Sequence, residues 1–213
     1  DGRPANETAF YLPSAVRVDP TRGVFIMDFN NMRLRRIRDD DRVATVAGNG
    51  EHDLAVQGMG ARDSPLENPI DFVPRASGEI LLVSLHDARV FAVGGDDELR
   101  VVAGTGDPAS TGDGGPATAA SFVELTGIAL GPEGDIYVAD GGASRIRVIG
   151  ADGMIETFAG GAETGYTGDG GPAKLALLIR PEGLSADRDG SVYIADSGAH
   201  VIRRVDPSGI IET

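Results

Sequence analysis

Four short runs of the chain are apolar at every position, and each ends on a small polar residue. Val24-Phe25-Ile26-Met27 leads to Asp28, Ile80-Leu81-Leu82-Val83 to Ser84, Ile136-Tyr137-Val138-Ala139 to Asp140, and Val192-Tyr193-Ile194-Ala195 to Asp196. The runs recur every 56 residues without a gap. A continuous apolar run of this length reads as a strand covered on both faces, whereas a strand covered on one face would alternate. The same period carries three further strand signals: a shorter run before each of these (Val16 and Val18, Phe72, Ile128 and Leu130, Leu184), a window after it (Leu34 to Ile37, Val90 to Val93, Ile146 to Ile149, Ile202 to Val205), and a last apolar pair that opens at Val43, Leu99, Ile155 and Ile211.

Turn residues separate these runs. Asp19-Pro20-Thr21-Arg22-Gly23 and its counterparts Ala76-Ser77-Gly78, Gly131-Pro132-Glu133-Gly134 and Asp187-Arg188-Asp189-Gly190 divide the first strand from the second. Asp39-Asp40-Asp41, Gly94 to Asp97, Ala151-Asp152-Gly153 and Pro207-Ser208-Gly209 divide the third from the fourth. Gly and Asp accept the backbone angles that tight turns need, and connections this short permit only antiparallel neighbours. Each repeat is therefore a four-stranded meander, and stacked meanders covering one another's strands form an all-β β-propeller. The repeats place blades at about residues 1–48, 57–104, 113–160 and 169–213 of a single propeller region.

The third and fourth repeats resemble a known pattern. Asp135-Ile136-Tyr137-Val138-Ala139-Asp140 followed by Arg145-Ile146-Arg147, and Glu182-Gly183-Leu184 followed by Val192 to Asp196 and Val201-Ile202-Arg203, are similar to the NHL repeat. The likeness covers the whole chain and thins in the second repeat, where Ser84 replaces the Asp and Pro74 interrupts the first strand. The long glycine-rich loops between blades are similar to those of large bacterial NHL-repeat proteins. The resemblance implies a secreted or cell-surface bacterial setting and a propeller of about six blades, of which this chain supplies four. The sequence begins within an inter-blade loop and ends inside an outer strand, which makes further repeats of the same polypeptide, or a second copy, the expected partner of its end blades.

Composition narrows the partner. Against 19 basic residues stand 33 acidic ones, a net charge of -14, and phosphate backbones are held chiefly by Lys and Arg. Nucleic acid is not expected to bind. Cysteine is absent, which removes disulfides and thiolate chemistry. No apolar stretch reaches the ~20 residues of a membrane-spanning helix, so membrane insertion is not expected.

The candidate chemistry lies where the turn after the second strand and the loop after the fourth emerge on one face. TGDGGPA occurs there twice, at Thr111 to Ala117 and Thr167 to Ala173. A phosphate loop would feed a helix, and here a strand follows, so the motif reads as repeat punctuation with Asp113 and Asp169 as secondary contacts. The column Asp28, Asp140 and Asp196 is a carboxylate set able to hold Ca²⁺. Its simpler role is structural: capping the turn near Asn30, Gly142 or Gly198, or pairing with Arg33 or Arg145. No cofactor is expected. His52, His86 and His200 fall in three different columns. The residues that suggest a non-enzymatic binding surface for a protein or glycan are Asp28, Asn30, Arg33, Asp113, Asp140, Arg145, Asp169, Asp196 and His200. The alternative is a metal-dependent lyase or hydrolase using His86 or His200.

Overall fold

The computed structural model describes residues 1–161 and 163–213. They form two compact units, Asp1–Val101 and Val102–Thr213. The first holds two antiparallel meanders: β1 (Pro13–Asp19), β2 (Gly23–Asp28), β3 (Arg33–Ile37) and β4 (Val43–Ala47), then β5 (Pro69–Pro74), β6 (Ile80–Ser84), β7 (Val90–Val93) and β8 (Leu99–Ala103). The second opens with the two-residue β9 (Gly115–Pro116) and continues as β10 (Leu125–Leu130), β11 (Ile136–Asp140), β12 (Arg145–Ile149) and β13 (Met154–Ala159). Its last blade comprises β14 (Gly171–Pro172), β15 (Pro181–Ala186), β16 (Val192–Asp196), β17 (Val201–Val205) and β18 (Ile210–Glu212). The fold is all-β and its sheets are propeller blades. Pro74 closes β5, opposite Ile80, instead of interrupting it.

The apolar columns meet face to face. In the first unit Phe25, Met27 and Leu34 share a core with Phe72, Ile80, Leu82 and Phe91, and the Phe25 and Phe72 rings lie 6.4 Å apart. In the second, Ala139, Ile146 and Ala159 share a core with Leu184, Val192, Ile194 and Val205. Burial of each large side chain contributes about 1.5–3 kcal/mol, so the sheets hold each other through the run that the period marks.

Two features place the loops. Each strand that opens a blade is bulged near its start, between Pro13 and Ala15, Pro69 and Asp71, Leu125 and Gly127, and Pro181 and Leu184. The Gly-Pro of each TGDGGPA loop forms an edge strand: β9 pairs with β13 and β14 with β18. The first two blades show the same crossing as single bridges, Pro4 to Arg42 and Gly60 to Glu98. The loop thus lies along the outer edge of the blade it leads into, where a proline lacking an N–H does no harm and the exposed ladder is covered.

Strands β10 and β15 approach so closely that a Cβ on Gly127 would stand 2.0 Å from the Glu182 carbonyl oxygen. Gly127→Ala is expected to cost about 1–3 kcal/mol by forcing them apart, read as a lower urea midpoint at unchanged slope. An unchanged midpoint would show that the approach is slack.

Candidate functional site

The strand-two carboxylates are buried. Asp28, Asp140 and Asp196 have no exposed surface, and each holds a backbone segment that lies about 17 residues upstream and leads into its own blade. The Tyr11 amide donates to Asp28 Oδ1 at 2.7 Å, Ile179 to Asp196 Oδ1 at 2.7 Å, and Val123 and Glu124 to Asp140 Oδ1 at 2.9 and 3.2 Å. The amide that follows the carboxylate completes the clasp. Asn30 N donates to Tyr11 O at 3.0 Å, Gly141 N to Glu124 O at 2.9 Å and Gly198 N to Ile179 O at 2.8 Å. The backbone amides of the turn therefore serve loop carbonyls and not the Asp, which corrects the expected backbone cap; the one side-chain amide of a turn that meets its Asp is Asn31, whose Nδ2 donates to Asp28 Oδ2 at 2.9 Å. Between clasp and third strand sits a single 3-10 turn ending on a left-handed residue, Met32, Ser144 or His200. His200 is exposed at that turn position.

The arginine partner is also displaced from expectation. Arg33 donates to the carbonyls of Asn31 and Asn49, and Arg145 is half-buried beside Asp113. The residues that reach the buried carboxylates lie two positions further on. Arg35 donates to Asp28 Oδ2 at 3.3 Å, and Arg203 stands 3.9 Å from Asp196 Oδ2. Arg147 and Arg203 are fully buried, and a buried cation must be matched where it stands. The loop aspartates do this: Asp113 at 2.6 Å from Arg147, Asp169 at 2.7 Å from Arg203, and Asp1 at 2.9 Å from Arg35. A fourth-strand threonine donates to each, Thr157 to Asp113, Thr213 to Asp169 and Thr45 to Asp1. Phe122 and Tyr166 lie under the Arg147 and Arg203 guanidinium groups at 5.4 and 5.1 Å. This arginine column is the signal that sequence reasoning missed, although Arg35, Arg147 and Arg203 recur with the period.

The second blade lacks the whole set. Gln57, Ser84, Phe91 and Val101 occupy the positions of the loop Asp, strand-two Asp, arginine and threonine. Phe91 is fully buried, and Ser84 Oγ is buried without a hydrogen-bond partner. Its loop is held by Asp87 instead, which accepts from the Ala55 amide at 2.9 Å and pairs with Arg89. Outside this apolar interior, polar residues with no counterpart in the repeat gather at the surface. His52 Nε2 lies 3.0 Å from Glu67 Oε2, and His86 Nδ1 lies 3.1 Å from Glu67 Oε1 and 3.0 Å from Asn68 Nδ2. The two histidines, though in different columns of the repeat, converge on one carboxylate, and both are exposed. Among the described residues no group of three or more His, Asp or Glu is arranged to hold a metal ion. Asp28, Asp140 and Asp196 each commit Oδ1 to a loop amide of their own blade, and of the Oδ2 atoms Asp196's alone is buried without a hydrogen-bond partner among the described residues.

Residues 1–167 and 161–213 match the Teneurin NHL domain. The chain belongs to that family. It is 30% identical over 215 residues to the chloroplastic protein SUPPRESSOR OF QUENCHING 1 of Arabidopsis thaliana, covering 94% of this chain and 20% of that protein. It is 27% identical over 227 residues to Teneurin-m of Drosophila melanogaster, covering 96% of this chain and 8% of that one. Among solved structures, a streptogramin B lyase superposes with a TM-score of 0.64 at 13% identity, over 97% of this chain and 55% of the lyase, a likeness of fold. The chain thus spans a fifth or less of these two relatives and about half of the lyase.

Burial sets the electrostatics. Desolvation raises the Asp196 carboxyl above 3.8, against the Ile179 amide and the Arg203 charge, and raises Asp140 against the amides of Glu124 and Val123 and the Ser110 hydroxyl. For Asp113 burial also acts upward but is outweighed by the Thr157 hydroxyl and Arg147, so its carboxyl is lowered. A raised carboxyl binds more protons folded than unfolded, so its contribution is present below 3.8 and is lost as pH rises through the folded value. Asp196 Oδ2 is buried without a hydrogen-bond partner. The stability of the wild-type chain relative to Asp196→Asn should therefore fall as pH rises from 3.8. Urea titrations of both across this range check it; a difference that grows with pH would contradict the assignment.

Proposed function

We propose that the chain is a non-enzymatic binding propeller whose partner is a protein, held on the surface formed by the inter-blade loops and the turns between second and third strands. The observation that carries this reading is the contrast between the recurring polar columns and the surface of the second blade. Asp28, Asp140, Asp196, Arg147 and Arg203 are buried in intrablade clasps, so they are scaffold, and no binding free energy is available from them. His52, Glu67, Asn68 and His86 break the repeat, meet through their side chains and leave both imidazoles open to solvent. A surface cluster that the fold does not require is where selection for a ligand acts. The imidazoles offer donors, acceptors and an aromatic face to a partner's polar groups. Asp113 and Asp169, each about half exposed beside its arginine, are secondary contacts on the loops of their own blades; a glycan would use the same kinds of group.

A second reading, a lyase or hydrolase, draws on the same convergence, because an imidazole held by a carboxylate can pass a proton. The fold shared with the lyase lends it support at the level of architecture alone.

A photo-crosslinking residue at Val56 would capture the partner covalently, and its affinity can then be measured with purified components. The double variant His52→Ala/His86→Ala is expected to lose about tenfold or more in affinity, a loss of about 1.4 kcal/mol, with an unchanged melting temperature. Unchanged affinity would move the site elsewhere, and turnover of a small molecule that stops in this variant would favour the enzyme.

A further inference from the structure

The turn that follows the first blade carries a group the repeat does not require. Of the five asparagines of the chain, only Asn49 precedes a glycine. The same column holds Thr105 and Gly161 in the next two loops. Thr105 Oγ1 accepts from the Asp107 amide at 3.3 Å, as Asn49 Oδ1 accepts from the Glu51 amide at 2.8 Å. A hydroxyl therefore closes the same turn, and the fold has no need of a side-chain amide there.

The Asn49 side chain and the peptide bond after it are held by named groups on every polar atom but one. Asn49 Nδ2 donates to Glu51 Oε2 at 3.1 Å and to the Asp63 carbonyl at 3.0 Å. The Asn49 backbone amide donates to Ser64 O at 3.0 Å. The Arg33 guanidinium donates to the Asn49 carbonyl oxygen, which belongs to the Asn49–Gly50 peptide itself, and to Asn31 O at 3.0 Å. It lies so close over Gly50 that a Cβ there would strike it. Gly50 takes a φ of 95° and is exposed, and among the described residues its N–H has no hydrogen-bond partner.

We propose that Asn49–Gly50 is a modification site at which the folded turn promotes its own deamidation. The Gly50 nitrogen, on losing its proton to a base in solution, attacks Asn49 Cγ. The N–Cγ bond forms, the Cγ–Nδ2 bond breaks, and Nδ2 leaves as ammonia with a proton from the solvent, so that a succinimide remains. Water then adds to either ring carbonyl and opens it to an aspartyl or an isoaspartyl residue. No electron donor or acceptor is needed. A cation hydrogen-bonded to the peptide oxygen draws electron density from the amide and makes its N–H more acidic, which is the part of Arg33. The Glu51 amide holds Oδ1 where negative charge develops in the addition step. The Glu51 carboxylate stands at the nitrogen that gains a proton as it leaves. Glycine presents no side chain to obstruct the approach to Cγ. In the aspartyl product a carboxylate oxygen replaces Nδ2 and faces two acceptors, the Glu51 carboxylate and the Asp63 carbonyl, so the turn loses both hydrogen bonds. The proposal does not depend on what the neighbouring His52 surface binds.

Peptide mass spectrometry on the whole chain, incubated at mildly alkaline pH, tests this by following conversion of the Asn49 amide to the acid together with its isoaspartyl isomer. The folded wild-type chain should convert about tenfold or more faster than the same chain unfolded in urea. Arg33→Ala should remove most of that acceleration and leave the rate in urea unchanged, and Arg33→Lys, which keeps the positive charge, should restore part of it. Circular dichroism checks that each variant folds; Glu51→Gln, which keeps the Glu51 amide and removes the carboxylate, should also slow the folded rate and takes the place of Arg33→Ala if that variant does not fold. A folded chain that converts no faster than the unfolded one, or a folded rate that neither Arg33→Ala nor Glu51→Gln lowers, would overturn the proposal.

Discussion

A guanidinium inside a β-sheet has to be neutralised where it stands, and the polar half of three blades is organised around that requirement. Arg147 and Arg203 have no contact with solvent. Leaving such a charge unmatched costs several kcal/mol. The loop aspartate, the fourth-strand threonine, the loop carbonyls of Thr111 or Thr167 and an aromatic ring together surround it. The sequence TGDGGPA is one side of this arrangement. Its Asp meets the arginine, its glycines take the positive φ that brings the backbone round (Gly112 at 96° and Gly168 at 102°), and its Gly-Pro closes the outer edge of the blade.

The second blade shows that the requirement concerns the set and not its members. Phe91 replaces the cation, and the groups that would have matched the cation are absent with it: Gln57, Ser84 and Val101. A hydrophobic side chain needs no counter-charge, and exchange of a complete buried ion pair for apolar residues is energetically permitted where loss of one partner is not. Freed from that geometry, the blade holds its loop through Asp87 and Arg89 and carries His52, Glu67 and His86 at the surface. Recurrence marks scaffold here, and departure from recurrence marks the candidate site.

The blades are legible in the sequence because the second strand of each must be apolar throughout, and a 56-residue period repeats that demand four times. The strand-two Asp column is legible as structural for the same reason. Its partners are not, because they lie in irregular loop about 17 residues upstream, where Tyr11, Val123 and Ile179 donate only a backbone N–H, which no side chain announces. Arg35, Arg147 and Arg203 are hidden by their setting in a strand that also carries Arg33, Arg36, Arg145 and Arg204, since composition does not tell an inward arginine from an outward one. The meeting of His52 and His86 depends on Glu67, a residue from a third segment, and pairwise comparison of columns cannot reveal it.

The central physical claim is that a buried strand-two carboxylate fixes the segment entering each blade. Amide hydrogen exchange at Ile179 measures this directly, since that N–H has Asp196 Oδ1 as its partner at 2.7 Å. In the wild-type chain Ile179 should be protected to the level of neighbouring strand amides such as Ile194. In Asp196→Ala it should exchange at least about tenfold faster while Ile194 keeps its protection, a loss of about 1.4 kcal/mol local to the clasp. Equal protection of Ile179 in both proteins would contradict the claim.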